Sequence, residues 1–266
     1  MNDPIICYLF TCFDKIDSIK NFKNNYLKFN AGINHELKIC FKLLNQTQIN
    51  DISLELKDLQ YQIFNDPSDK NDYDFGSYKR FAENHIDKDI LFLNSHSYPI
   101  CENWLKILMH FKKENNLIGT TASNESIINS ISLKKKYKLF SYLFKLYKFK
   151  KNFLSFPNPH IRTSNFLIRG KYFLDFINKK KITNKFDAWK IESGKNSLSN
   201  FFKNKNLEVL VVNSDGDRFL EKNWKLSETY NYFNKSKLII SDKHTRKYDS
   251  LDIEDKLLSQ YKVWGI

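Results

Sequence analysis

The chain has 266 residues, enough for one large α/β domain or two small ones with a sizeable core. Its 41% hydrophobic and 15% aromatic content, with 7 Gly and 5 Pro, excludes a disordered or collagen-like chain. A net charge of +13 favours polyanionic partners, namely nucleic acid, anionic lipid or a nucleotide diphosphate, without choosing among them.

The N-terminal stretch MNDPIICYLFTCFD has no basic leader and no long apolar run, so no signal peptide is expected. No segment approaches the ~20 apolar residues of a membrane span. The expected location is cytoplasmic, or peripheral on the inner face of a membrane. Ile5 to Asp14 is continuously apolar and predicts a buried strand. A helix follows from about Asp17 to Asn30, then a strand over His35 to Leu44, a short helix over Leu54 to Leu59, and a strand at YQIFN. Gly76 to Ile86 places Tyr78, Phe81, Ala82 and Ile86 on one helical face. DILFLN is the fourth strand, Glu102 to Asn115 an amphipathic helix, and Leu117 to Ser123 a fifth strand and turn. Strand and helix alternate through this half, which predicts a parallel sheet with crossovers. The expected organisation is one domain over 1–266, with a first half at 1–123 and a second at 124–266.

Leu133 to Lys151 combines an apolar helical stripe with eight lysines. It predicts either a membrane-surface helix or a helix packed on the core with a solvated face. HIRTSNFLIR then reads as a strand, YFLDFI as helix or strand, SLSNFFKNKN as a helix, and LEVLVVN and KLIIS as strands. The triplet Asp215 to Asp217 lies between strand-like runs and predicts a turn rather than a metal site. Cys7, Cys12, Cys40 and Cys101 form no C-x-x-C pair and sit mostly in apolar runs, which points to reduced thiols.

Several polar clusters stand where chemistry is done. Asn94, Ser95 and His96 follow an apolar strand, and ligands in open α/β sheets bind beyond the carboxyl ends of strands. Thr11, Phe13 and Asp14 end the first strand in the same manner. Asp72, Asp74 and Gly76 open a helix whose N-terminus suits anionic phosphate, with Arg80 one turn in; either aspartate also serves as a plain cap. In FPNPHIRTSNFLIR two prolines impose an extended entry to His160, Arg162, Thr163 and Asn165. Arg162 suits a phosphate or an acidic sugar, or equally the carbonyls of its own loop. Glu192 precedes Ser193, Gly194 and a helix, so it is a candidate base or a partner of that helix N-terminus. Lys243, His244 and Arg246 form a late basic loop.

This layout resembles the nucleotide-sugar half of GT-A glycosyltransferases, especially the family-2-like ones. The phrase Pro-His-Ile-Arg-Thr and the block from Val211 to Tyr248 resemble a bacterial group associated with surface polysaccharide. The likeness covers most of the chain in layout, and specific phrases only from about Phe156 to Tyr248. It implies a GT-A-like α/β fold with a mostly parallel sheet flanked by helices. It implies a nucleotide-sugar donor held by Thr11, Phe13, Asp14, Asp74, Gly76, Arg80, Asn94, Ser95, His96, Lys243, His244 and Arg246. The acceptor, a saccharide or lipid-linked saccharide, would meet His160, Arg162, Thr163 and Asn165. Glu192 matches the acidic catalytic base.

One departure stands out. The family's Asp-x-Asp, which holds a divalent metal, reads Asn94-Ser95-His96 here. Mg²⁺ and Mn²⁺ prefer hard oxygen ligands. Either Asn94, His96 and His244 hold such an ion loosely, or Lys243, His244 and Arg246 replace it. The rivals are a nucleic-acid-binding α/β protein, which no RRM, KH or zinc-finger signature supports, and a GT-A-like fold without catalysis.

Overall fold

The computed structural model describes residues 3–132, 139–233 and 236–266. The first half runs β1 (Ile5–Thr11), α1 (Ile16–Lys28), β2 (Glu36–Lys42), α2 (Gln46–Glu55), β3 (Gln62–Asn65), α3 (Tyr73–Glu83), β4 (Asp89–Leu93), β5 (Tyr98–Pro99), α4 (Trp104–His110), β6 (Leu117–Gly119) and β7 (Ala122–Ser123). The second runs α5 (Ile127–Ser132), α6 (Leu139–Asn152), β8 (His160–Ile161), β9 (Asn165–Arg169), α7 (Gly170–Ile177), α8 (Lys185–Ser193), α9 (Leu198–Asn204), β10 (Val209–Val212), β11 (Arg218–Phe219), a 3-10 turn (Glu221–Ser227), β12 (Ile240–Ser241), α10 (Lys243–Asp249) and α11 (Ile253–Trp264).

Eight strands form one sheet in the order β11-β10-β6-β9-β4-β1-β2-β3. β1 pairs in parallel with β2 and β4, and β6 with β10, while β9 runs antiparallel between β4 and β6. The class is the expected one: mostly parallel, with helices on both faces. The strands are apolar at successive positions because both faces are covered. Ile5, Cys7, Leu9, Ile90, Phe92, Phe166 and Ile168 face one core with α3, α7 and α9. Ile6, Tyr8, Phe10, Leu91, Leu93 and Leu167 face the other with α1, α2 and α4. Cys7 and Cys40 are buried reduced thiols.

Three expectations need correction. The short helix lies at α2 rather than over Leu54 to Leu59, because Asn45 and Gln48 form a capping box that starts it earlier. HIRTSNFLIR is two strands: β8 pairs with β7, whereas β9 joins the main sheet, and Arg162 to Ser164 turn between them. α11, absent from the expectations, is capped by Asp252 and buries Val263 and Trp264. YFLDFI resolves as helix, within α7. The Asp-Gly-Asp triplet is the expected turn, between antiparallel β10 and β11. Among the described residues, no helix is long and apolar enough to cross a membrane.

Candidate active site

The β4–β9 ladder brings the two halves together. Leu93 pairs with Asn165, and one step beyond, the Asn94 amide donates to the Ser164 carbonyl at 3.0 Å. Because β9 is antiparallel, the entry to β9 lies at the same rim as the exit from β4. The start of α3, the end of α8 and the start of α10 close over this rim. Tyr73, Asp74, Asn94, Arg162, Thr163, Glu192 and His244 thereby line one cavity of about 200 Å³.

The polar cluster at the ends of β1 and β4 is tied together tightly. Asp14 Oδ2 accepts from the Thr11 amide at 2.9 Å and its hydroxyl at 2.7 Å, and Oδ1 accepts from Ser95 Oγ at 2.6 Å. The Tyr8 hydroxyl donates to the Ser95 carbonyl at 2.6 Å. His96 Nε2 lies 3.9 Å from Asp14 Oδ1, with Nδ1 3.3 Å from Ser18 Oγ. Burial lowers the His96 pKa, with Asp14 opposing. Phe13 stands 66% exposed beside this cluster, free to meet a ligand's ring face.

Asp74 and Glu192 come from opposite halves. Asp74 sits in the first turn of α3, after Tyr73, whose backbone is left-handed at φ 56°. Lys42 Nζ fixes that turn by donating to the Tyr73 carbonyl at 2.6 Å. The Asp74 carboxylate accepts no hydrogen bond among the described residues. Burial pushes it up to about 6; Lys42 opposes this, and Asp14 and Glu192 add to it. Glu192, in the last turn of α8, accepts the Thr163 amide on Oε1 at 3.2 Å. Its other oxygen accepts nothing among the described residues.

The basic residues divide by what already holds them. Arg162 donates to Asp242 at 2.7 Å and stacks on Tyr230, its guanidinium carbon 3.9 Å from the ring centre. Arg162 is thus mainly a strut between β8 and α10, though it lines the cavity. The arginine, with the Ser164 hydroxyl and the Thr245 amide, holds Asp242 well below the usual carboxylate range despite its burial. Arg246 donates to the His96 carbonyl at 3.0 Å and lies over Tyr98. With a second hydrogen bond to Ser241 Oγ at 3.1 Å it anchors the His96 loop, and its remaining N–H donors have no acceptor among the described residues. Lys243 is exposed without an ion-pair partner among the described residues. His244 stands at the cavity rim, its pKa lowered by burial and by Arg162.

Four expected site residues lie elsewhere. Arg80 donates to Asp66 at 2.5 Å and Asp72 at 2.6 Å, so its charge is spent inside α3's own support. Gly76 faces Asp72: a Cβ there would come within 1.9 Å of the carboxylate carbon. The glycine makes room for the ion pairs rather than for a phosphate. His160 is buried in β8 with Nδ1 2.7 Å from the Asn158 carbonyl, and Asn165 is buried against Thr120 and Ser164. Sequence reasoning missed Trp189 and Tyr73 as lining residues. The spacing of Trp189 and Glu192 on α8, three apart and so on one helical face, was the available signal.

The donor set does not fit a divalent metal. Asn94 Oδ1 accepts from the His96 amide at 3.1 Å and Ser97 Oγ at 2.8 Å, and the Asp14 oxygens are occupied as above. Among the described residues, no group of three or more His, Cys, Asp or Glu is arranged to hold an ion.

No family model and no curated protein matches the chain. Solved structures similar to it include the galactosyltransferase LgtC in complex with donor and acceptor sugar analogues, at 9% identity and a TM-score of 0.38, covering 64% of this chain and 59% of that one. WbbM, a bifunctional glycosyltransferase, matches at 9% identity and a TM-score of 0.42, over 98% of this chain and 45% of its own. A nucleotidyl transferase from Methanothermobacter matches at 9% and 0.41, over 77% and 97%. The chain spans less than two thirds of the length of either glycosyltransferase.

Proposed function

We propose that the chain is a GT-A-like glycosyltransferase, read as one domain, that moves a sugar from a nucleotide-sugar donor to a saccharide or lipid-linked acceptor in surface polysaccharide synthesis. The observation that carries this reading is the shared cavity: Glu192 from the second half faces Asp74 and Asn94 from the first. The nucleotide lies along Thr11, Phe13, Asp14 and the Ser95–His96 turn. Glu192, oriented by the Thr163 amide, takes the proton of the acceptor hydroxyl as that oxygen attacks the anomeric carbon. The bond from that carbon to the diphosphate breaks, and Lys243, His244 and the free donors of Arg246 stabilise the leaving charge.

The acceptor side adjoins α6. Leu143, Phe144 and Tyr147 are exposed there beside Lys145, Lys148, Lys150 and Lys151, a pattern that favours an anionic membrane surface. Residues 133–138, part of the same expectation, lie outside the described residues. A second reading, a nucleotide-sugar-binding protein without turnover, is favoured by the internal satisfaction of Asp14 and Asn94.

The test is Glu192→Gln with a competent donor and acceptor, found first by thermal shift across nucleoside diphosphates and nucleotide sugars. Turnover falls by about 10²–10⁴-fold while donor affinity is kept. Near-wild-type turnover removes Glu192 from the reaction. Binding without turnover in the wild-type chain favours the second reading.

A further inference from the structure

A second cavity lies against the opposite face of α8. Ala188, Trp189 and Glu192 face the acidic cavity. Asp187, Lys190 and Ile191 face one of about 290 Å³ walled by Lys151 of α6, Lys179, Lys180 and Lys181 after α7, and Lys195 after α8. Six lysines thus line a space bordered by a single acidic residue, Asp187. That carboxylate is already committed: Lys190 pairs with it at 2.8 Å, and Thr183 donates to it through both amide and hydroxyl. Lys151, Lys179, Lys181 and Lys195 have no carboxylate within ion-pair distance among the described residues.

The walls are tied by backbone. The Lys195 amide donates to the Asn152 carbonyl at 2.8 Å, and Phe153 bridges to Gly194, joining the end of α6 to the end of α8. Lys180 Nζ donates to the Asn196 carbonyl at 2.9 Å, which closes a third side. Burial, and then the neighbouring Lys190 charge, lower the Lys180 pKa. Like charges held in a concave, fixed frame raise the local potential, which a multivalent anion relieves. Lysine suits a phosphate as a point charge with rotatable donors.

We infer that this lysine-walled cavity between α6, the α7–α8 loop and the end of α8 is a binding site for a phosphoryl anion, either a free di- or oligophosphate or a phosphate-bearing lipid headgroup. The site is separate from the Glu192 cavity and stands whether or not Glu192 catalyses transfer.

Calorimetric titration of the full chain with pyrophosphate at low salt tests it. Saturable binding weakens roughly tenfold or more in K179Q/K181Q/K195Q, which removes three unpaired charges from two of the walls. These side chains are exposed, so the fold is kept. The control K57Q/K70Q/K222Q removes the same charge from other exposed positions and leaves affinity within about twofold. Equal weakening in both variants, unaltered affinity in the first, or no saturable binding in the wild-type chain overturns the site. Retention on phosphatidic acid vesicles, against phosphatidylcholine alone, separates the sources. Retention lost with the first variant supports a headgroup; retention unchanged while pyrophosphate binding weakens supports a free phosphate.

Discussion

Asp72 and Asp74 stand two residues apart at the start of α3 and live in opposite surroundings. Asp72 lies between Lys42 and Arg80, and its pKa is lowered despite partial burial, because hydrogen bonds from both cations outweigh desolvation. Asp74 accepts no hydrogen bond among the described residues, and burial raises its pKa to about 6, opposed by Lys42 and reinforced by Asp14 and Glu192. The difference teaches where the chain keeps its reactive potential. Satisfied charges, such as Asp72, Asp66 and Asp242, brace the scaffold. The unsatisfied carboxylate opens onto the cavity. Perturbed acids of the second kind mark functional sites more often than the first.

The comparison breaks most sharply at the best-buried pair. Arg162→Met strands Asp242, whose side chain is 1% exposed, and is expected to cost about 3–5 kcal/mol in denaturant unfolding. A loss below about 1 kcal/mol would mean that the pair is no strut. Asp72→Asn keeps shape but removes the charge shared by Lys42 and Arg80. Arg80 and Asp72 keep some solvent contact whereas Lys42 is fully buried, so a cost of about 2–3 kcal/mol is expected, toward the buried end of the range.

Asp74→Asn reverses the sign. A carboxyl whose folded pKa is raised to about 6 keeps its proton where the unfolded chain, near 3.9, has lost it. Wild-type stability therefore falls as pH rises from about 4 to 6 and stays reduced above that. The variant is expected to gain about 1–2 kcal/mol over wild type at pH 8 and almost nothing near pH 4, read as the difference between the two unfolding curves. Asp66, Asp72 and Asp242 act in the opposite sense, since their lowered pKa values lend stability that is lost as pH falls below about 4. They are common to both proteins and cancel in the difference. A variant less stable at pH 8 would show that Asp74 is satisfied after all.

Much of the sheet was legible because strands covered on both faces are apolar at successive positions, as in β10 and in β1 and β4 apart from Thr11 and Asp89. α2 was less so: only Ile49 and Ile52 are buried in it, and its start is written in a capping box rather than in hydrophobic period. The split of β8 from β9 was hidden because the turn between them exists to deliver Arg162 to Asp242, eighty residues away. The same limit governs the site. Residue type pointed to Asp14, Asn94 and Glu192 as polar groups at element ends. That Arg80 would be consumed by Asp66 and Asp72 depends on a neighbour across a loop, which spacing does not reveal. Asp74 and Glu192 meet through the β4–β9 ladder, a pairing made by the sheet.

That ladder also dictates an order of events during synthesis. β9 lies between β4 and β6, yet it is made after both. When β6 leaves the ribosome, it has neither of its neighbours, because β10 is later still. β4 likewise has β1 on one side and an open edge on the other. An unpaired edge with apolar faces invites pairing with another chain. The nascent protein passes through a stage in which four strands can assemble while the centre of its final sheet is still missing, and its yield depends on how well that stage is shielded from neighbours.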